Sequence, residues 1–482
     1  MNRLTDSEVA RLRDSLRAAS YDVDTVDELL GPVAHAALAR GERVPALRAT
    51  NGGSPLETLV RLFLTGTDEP ESAVAAALPL DVCYAANLVE PHGHGLRAAL
   101  DLRPYHDWWV VSDVGAQWRP GPLPCDHVLG VGGASVTLAQ ATVPVPEGTA
   151  LDLGVGSGVQ SLHLRQHAAR VAGTDVNPRA LELADLTARL NGVEVELLRG
   201  SLFEPVRGRR FDLIVSNPPF VMGPGDDYAY RSARAEGNDL CQRIIRQAPA
   251  MLAPGGWCQL LANWTHRRGV PWQEQVASWF EGTGCDAWVW QREVQDPAAY
   301  AGMWLRDSQE DTLPDYERRY ADWLDWLCAR EVEAVGFGLV TMRATGAADP
   351  VVRVEEVRQQ VNQPVAGPIA DWFDRQERLR AMPDLLDAQL RAAPDVVLEQ
   401  VASPDQGWRV DVQRLHLTGG MRWQGEVDQL AASLVAGCDG QVRLRDQFAL
   451  LAAAYGYPPE ELVETALPVV RHLVERGFLL PT

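Results

Sequence analysis

Residues 211–220 read FDLIVSNPPF, an apolar run that halts at Asn217, Pro218, Pro219 and Phe220. The two prolines donate no backbone hydrogen bond and hold φ at about −65°. The residue before each proline is steered away from the helical region. Asn217 is therefore expected on a stiff, extended corner at the end of a strand, with an aromatic ring just beyond its carboxamide. A second stretch, LDLGVGSGVQSL, ends another strand in Gly154, Gly156 and Gly158, and a helix opens directly afterwards. Glycines in such a turn let the backbone bend tightly and come close to a ligand. The spacing is Asp152-x-Gly-x-Gly-x-Gly rather than the dinucleotide pattern G-x-G-x-x-G. The following strand closes in TDVNPRAL, which sets Asp175 17 residues beyond Gly158. A carboxylate at that strand end accepts hydrogen bonds from ribose hydroxyls. Asn177 and Pro178 make an N-cap and first-turn pair, so Asn177 reads equally as a helix cap or a ligand contact. Together these residues predict a nucleoside pocket at the carboxyl ends of parallel strands.

LDLGVGSG, TDVN and SNPPF, in this order and spacing, resemble class I S-adenosylmethionine-dependent methyltransferases with an Asn-Pro-Pro-(Phe/Tyr) corner. That group takes in release-factor glutamine methyltransferases, ribosomal RNA guanine-N2 methyltransferases and adenine-N6 DNA methyltransferases. The stretch AEGNDLCQRIIRQAPAMLAPGG resembles the turn and helix that follow the corner in the glutamine enzymes. The resemblance covers residues 145–345 and implies S-adenosyl-L-methionine as cofactor. Its cofactor-binding residues would be Asp152, Gly154, Gly156, Gly158, Asp175, Asn177, Ser201, Leu202 and Asn217. Its catalytic residues would be Asn217, Pro218, Pro219 and Phe220.

The resemblance also gives the corner a chemical purpose. Planar nitrogens of amides and nucleobases are poor nucleophiles, because their lone pair is delocalised. The Asn217 oxygen and the Pro218 carbonyl would grip the N–H hydrogens, turn the lone pair toward the methyl donor and stabilise the charge that develops. Phe220 would stack on the flat group. One departure stands out: RGSLFEPV has Ser201 where related enzymes often carry an acidic residue for the adenine amino group. Its hydroxyl, or the Leu202 amide, would have to serve instead. Gly132, Gly133 and Ser135, in GVGGASVTLAQAT, are expected to fold over the cofactor's methionine end or to form a plain loop. Trp264, at the end of the fifth strand, is expected near the substrate. His92 and His94 in PHGHG lack further partners and read as turn residues, so no metal site is expected.

Strands and helices alternate from residue 145 onward. Strands are expected at ALDLG, RVAGTDV, VEVELL, FDLIVS, WCQLLAN, DAWVWQREV and GFGLVTMRA. The expected fold class is α/β, with a seven-stranded Rossmann-like sheet over 145–348. Residues 1–80 read as a helical N-terminal domain, opened by Thr5 and Glu8 at capping-box spacing. Residues 81–144 read as a β-rich segment for substrate recognition, and 349–482 as an accessory α+β domain ending like a small winged-helix module.

The composition, with 46% hydrophobic and 23% charged residues over 482 positions, is that of a globular multidomain protein. Seven dispersed cysteines fit reduced intracellular thiols. The polar start MNRLTDSEVARLRDSL is unlike a signal peptide, and no apolar run approaches about 18 residues. A cytoplasmic location is expected. Formal charge is −21, and every basic residue is arginine. Residues 1–150 hold 11 Arg against 19 acids, and 301–482 hold 18 against 29. Flanks that gripped phosphates should be more basic. The charge balance therefore favours a protein or peptide substrate, such as a glutamine amide. An exocyclic amine of RNA or DNA is the alternative, kept open by Arg207, Arg209, Arg210, Arg231 and Arg234. A non-catalytic cofactor-binding interaction protein is a third reading, opposed by the intact corner.

Overall fold

A computed structural model describes residues 3–118, 123–219, 221–224, 239–382 and 384–482. It forms two compact units, one of residues 1–139 with 144–356 and the other of 140–143 with 357–482.

The first unit opens with helices α1 (Asp6–Ala18) and α2 (Val23–Ala39). Thr5 and Glu8 cap α1 reciprocally, each side chain on the other's backbone N–H. Short helices and a hairpin of Val89–His92 with Gly95–Ala98 lead to a second hairpin, β1 (Leu100–Tyr105) with β2 (Trp108–Asp113). Helix α3 (Gly133–Ala141) begins in this unit and precedes the alternating part. There the order is β3 (Val145–Leu153), α4 (Val159–His167), β4 (Ala168–Asp175), α5 (Pro178–Leu190), β5 (Glu196–Arg199) and β6 (Phe211–Ser216). It continues with α6 (Asp239–Met251), β7 (Leu252–Arg267), β8 (Asp286–Gln295), α7 (Pro297–Asp307), α8 (Tyr316–Cys328), β9 (Val332–Arg343) and β10 (Val352–Glu356).

The strands form one sheet in the order β10-β8-β9-β7-β6-β3-β4-β5. Only β9 runs against the rest. All seven predicted strands are present, and β10 adds an eighth beyond residue 348. Its alternating Val352 and Val354 pack on the core that holds Trp272 and Val289. Leu213, Ile214 and Val215 on β6 are wholly buried, as befits a parallel strand covered on both faces. Leu153 pairs with Thr174 and with Ser216, and Ser216 with Leu260. Gly154, Asp175 and Asn217 therefore leave the sheet along one edge.

Helix α5 serves two bodies at once. Its Leu183, Leu186 and Leu190 share a core with Leu12, Leu16, Tyr21, Phe63 and Val111 of the N-terminal region. The Val111 N–H donates to Thr187 Oγ1 at 3.0 Å, and Asn191 exchanges hydrogen bonds with the Trp109 backbone.

The second unit contains α9 (Ala366–Ala381), β11 (Gln389–Ala392), β12 (Val396–Pro404), β13 (Trp408–Leu417) and β14 (Gln424–Glu426). It ends with α10 (Gln429–Gly437), β15 (Asp439–Arg443), α11 (Leu444–Tyr455), α12 (Pro459–Arg476) and β16 (Leu479–Pro481). Its two small sheets are β15-β11-β16 and β12-β13-β14. From α10 to β16 the succession is helix, strand, helix, helix, strand, and the upstream β11 is the central strand of its sheet.

Candidate active site

The turn between β3 and α4 is a backbone cradle. Gly154, Gly156 and Gly158 hold φ of 82°, 53° and 86°, the left-handed region open to glycine. The N–H groups of Gly154 and Val155 both reach the Thr174 carbonyl at 2.9 Å, tying the loop to β4. A Cβ at Gly154 or Gly156 would meet nothing within 4 Å, whereas one at Gly158 would press on Ala184 at 3.3 Å. The first two glycines thus face open space, and the third lets α4 lie close to α5.

Asp175 closes the cradle. One carboxylate oxygen accepts from the Gly156 N–H at 3.1 Å and the other from Asn177 N–H at 2.9 Å. Burial nonetheless pushes its pKa up. Asn177 engages both ends of its side chain: Oδ1 accepts from Arg179 N–H and Nδ2 donates to the Asp126 carbonyl. Beside it, Arg179 is paired with Asp113 at the end of β2. Asp152 lies inside the fold, accepting from Ser161 Oγ at 2.7 Å. Burial raises its pKa to about 7.

In the loop after β5, Ser201 is exposed. Leu202 adopts φ of 49°, unusual for a residue with a side chain, and its carbonyl faces Thr174 Oγ1 at 3.4 Å. Ser135, in the first turn of α3, accepts at its carbonyl from Gln160 Nε2 at 2.7 Å, which sets the start of α3 beside the glycine turn. Gly132 and Gly133, just before it, have open space where a Cβ would stand.

At the corner, Ser216 Oγ donates to the Leu153 carbonyl at 2.7 Å, joining the end of β6 to the strand that carries the cradle. Pro218 is buried, and Asn217 and Pro219 are half-buried. The Asn217 side chain has no hydrogen-bond partner among the described residues. Phe220, Arg231 and Arg234 lie outside the described residues. Beyond the corner, Val221 and Met222 pack among Tyr300, Leu305, Trp323 and Leu327 of α7 and α8. The Met222 N–H donates to the Tyr300 hydroxyl at 2.8 Å.

Trp264 belongs to the core. It is fully buried, stacked on Trp272 at 5.8 Å between centroids, and donates to Gln291 Oε1 at 2.8 Å. Its place on the strand points it toward α6 and the packing of Val276 and Trp279, not toward the corner. His92 pairs with Asp68 at 2.7 Å. Among the described residues no group of three or more His, Cys, Asp or Glu side chains is placed to hold a metal ion. Sequence reasoning missed Asn263, Tyr300 and the Asp113–Arg179 pair, because each depends on a partner far away in the chain.

A mostly parallel sheet whose neighbouring strands end in this glycine cradle, a half-buried carboxylate and an Asn-Pro-Pro corner is the framework of a Rossmann-like methyltransferase. The chain belongs to the methyltransferase small-domain family: residues 131–276 match "Methyltransferase small domain". Residues 18–99 and 370–481 match "Domain of unknown function (DUF7059)" and "Domain of unknown function (DUF7782)". The chain is 37% identical over 163 residues to a release factor glutamine methyltransferase of Geobacter sulfurreducens, covering 30% of this chain and 53% of that protein. It is 35% identical over 116 residues to a ribosomal RNA small subunit methyltransferase C of Alcanivorax borkumensis, covering 24% and 32%. A Methanocaldococcus jannaschii protein named for protein N5-glutamine methyltransferase activity is 33% identical over 137 residues, covering 27% and 68%. The chain thus spans from about a third to two thirds of the length of these curated relatives.

Proposed function

We propose that the protein is an S-adenosylmethionine-dependent N-methyltransferase acting on a planar nitrogen of a protein or peptide, such as a glutamine amide. The observation that carries this reading is the Asn217 carboxamide, fixed by two prolines on the edge that also carries the cradle, its side chain uncommitted among the described residues. The open space over Gly154 and Gly156, beside the Asp175 carboxylate, fits a nucleoside cofactor. Asp175 would take the ribose hydroxyls, and Ser201 with the Leu202 backbone the adenine. The glycine turn, with Gly133 and Ser135 beside it, would enclose the methionine end. Asp152 and Asn177 would act from behind, by holding α4 and the start of α5. When bound, the cofactor supplies a methyl group activated by its positive sulfur. The chain's own part is to hold the target: the Asn217 oxygen and the Pro218 carbonyl accept its N–H hydrogens, and Phe220 stacks on its face.

Two of the relatives are named for glutamine methylation, and the acidic flanks agree with a protein substrate. The relative named for ribosomal RNA supports the second reading, methylation of an exocyclic amine. We assign substrate recognition to residues 1–144 and an accessory role to 349–482, in a cytoplasmic enzyme. Among the described residues no helix is long and apolar enough to cross a membrane. The test is incubation with methyl-labelled cofactor and separated protein, RNA and small-molecule fractions of the source cell. Label in protein supports the first reading and label in RNA the second. No label in any fraction would sink both.

A further inference from the structure

Asn263 stands on β7 beside the corner and keeps a polar atom in reserve. Ser216 pairs with Leu260 in parallel register, so the next residue, Asn217, falls beside Leu261. Side chains alternate along a strand, which puts Asn263 next in line on the same face. Its Nδ2 donates to the Tyr300 hydroxyl at 3.3 Å, and that hydroxyl also accepts the Met222 N–H. Met222 is three residues past Pro219, so the Asn263 carboxamide lies against the segment leaving the corner. Asn263 is 1% exposed, yet among the described residues its Oδ1 has no hydrogen-bond partner. A buried carbonyl oxygen without a donor costs stability and calls for an explanation. A ligand that brings the donor supplies one.

We propose that Asn263 is a further acceptor for the group being methylated, its Oδ1 sharing one N–H hydrogen with the Pro218 carbonyl while Asn217 takes the other. Tyr300 is the positioning residue, holding the carboxamide and the corner's exit segment in one frame. This rests on the N-methyltransferase reading above. The group selected carries at least two N–H donors on one edge, as a primary amide does. A target that turned an acceptor toward Asn263 would leave two unpaired oxygens facing each other and be rejected.

The test compares the full-length protein with Asn263→Leu and Tyr300→Phe, using methyl-labelled cofactor and two probes, a proteome digest and total RNA of the source cell. Asn263→Leu is expected to keep or raise the thermal midpoint, because it removes the orphaned oxygen. Its kcat/KM should fall by about tenfold or more, the weight of one lost hydrogen bond or slightly above. Cofactor affinity, read by calorimetry, should change little. Tyr300→Phe should cost rate through kcat with a smaller effect on KM. Labelling of RNA rather than peptide, lost in Asn263→Leu, supports the role of Asn263 on an exocyclic amine. An Asn263→Leu protein that methylates normally, or that loses stability in step with rate, overturns this proposal alone. A wild-type protein that binds cofactor and labels neither probe overturns the N-methyltransferase reading, and this proposal with it.

Discussion

Asn217 and Asp175 stand at the ends of the two strands that flank β3 and are proposed to do separate work, so their variants should separate chemistry from binding. Asn217→Ala removes an acceptor needed most in the transition state. Turnover should fall on the order of 10²–10³ with cofactor affinity nearly unchanged. A normal methylation rate would return the corner to a plain strand terminator. Asn217→Asp keeps the shape and an acceptor; it should retain more activity than Ala on an amine-bearing base, and less on a glutamine amide. Asp175→Ala has the opposite signature. It should weaken cofactor binding by roughly 1–3 kcal/mol, for the lost charged-acceptor bonds. It also strips Gly156 and Asn177 of their N–H acceptors, which loosens the cradle. Unchanged affinity by calorimetry would remove Asp175 from the site.

Helix α4 carries two side chains, Ser161 and His163, whose partners give the fold an opposed response to pH. Asp152, bonded to Ser161, has its pKa raised by burial from 3.8 to about 7. Its contribution to stability is full below 3.8 and lost as pH rises through about 7. His163, beside the Tyr105 hydroxyl at 2.9 Å, has its pKa lowered by burial from 6.5 to about 4. Its contribution is full above 6.5 and lost as pH falls toward about 4. The two slopes oppose each other over one window. Relative to the wild type, His163→Gln should therefore show a thermal midpoint that falls as pH rises from about 4 to about 7. Relative to the wild type, Asp152→Asn should show a midpoint that rises over the same range. Parallel pH profiles for the two variants would reject this assignment.

At the scale of the first unit, α5 couples the N-terminal body to the sheet. Leu186 is 2% exposed in the shared core, so Leu186→Ala should cost about 2–5 kcal/mol in chemical unfolding. A fragment starting at residue 144 would bare Leu183, Leu186 and Leu190 together and lose the Asp113 partner of Arg179. It should aggregate rather than bind cofactor as a stable monomer. A fragment of 144–356 with full cofactor affinity would show that the N-terminal body is separable.

The features legible in the sequence are those that chemistry writes locally. Glycines that need positive φ, prolines that stiffen a strand end and the Thr5–Glu8 capping box each act within a few residues. The parallel strands were readable because burial on both faces demands unbroken apolar runs such as Leu213–Val215. Where a polar side chain spends its hydrogen bonds was decided only by tertiary structure. Asp152 turns to Ser161, Asn177 is taken up by Arg179 and Asp126, and Trp264 sinks into a tryptophan stack. Asn263 meets Tyr300 across 37 residues, and α5 doubles as a core helix of the N-terminal body. The physical reason is one of range. Backbone conformation answers to neighbours in sequence, whereas burial and hydrogen-bond partnership answer to neighbours in space.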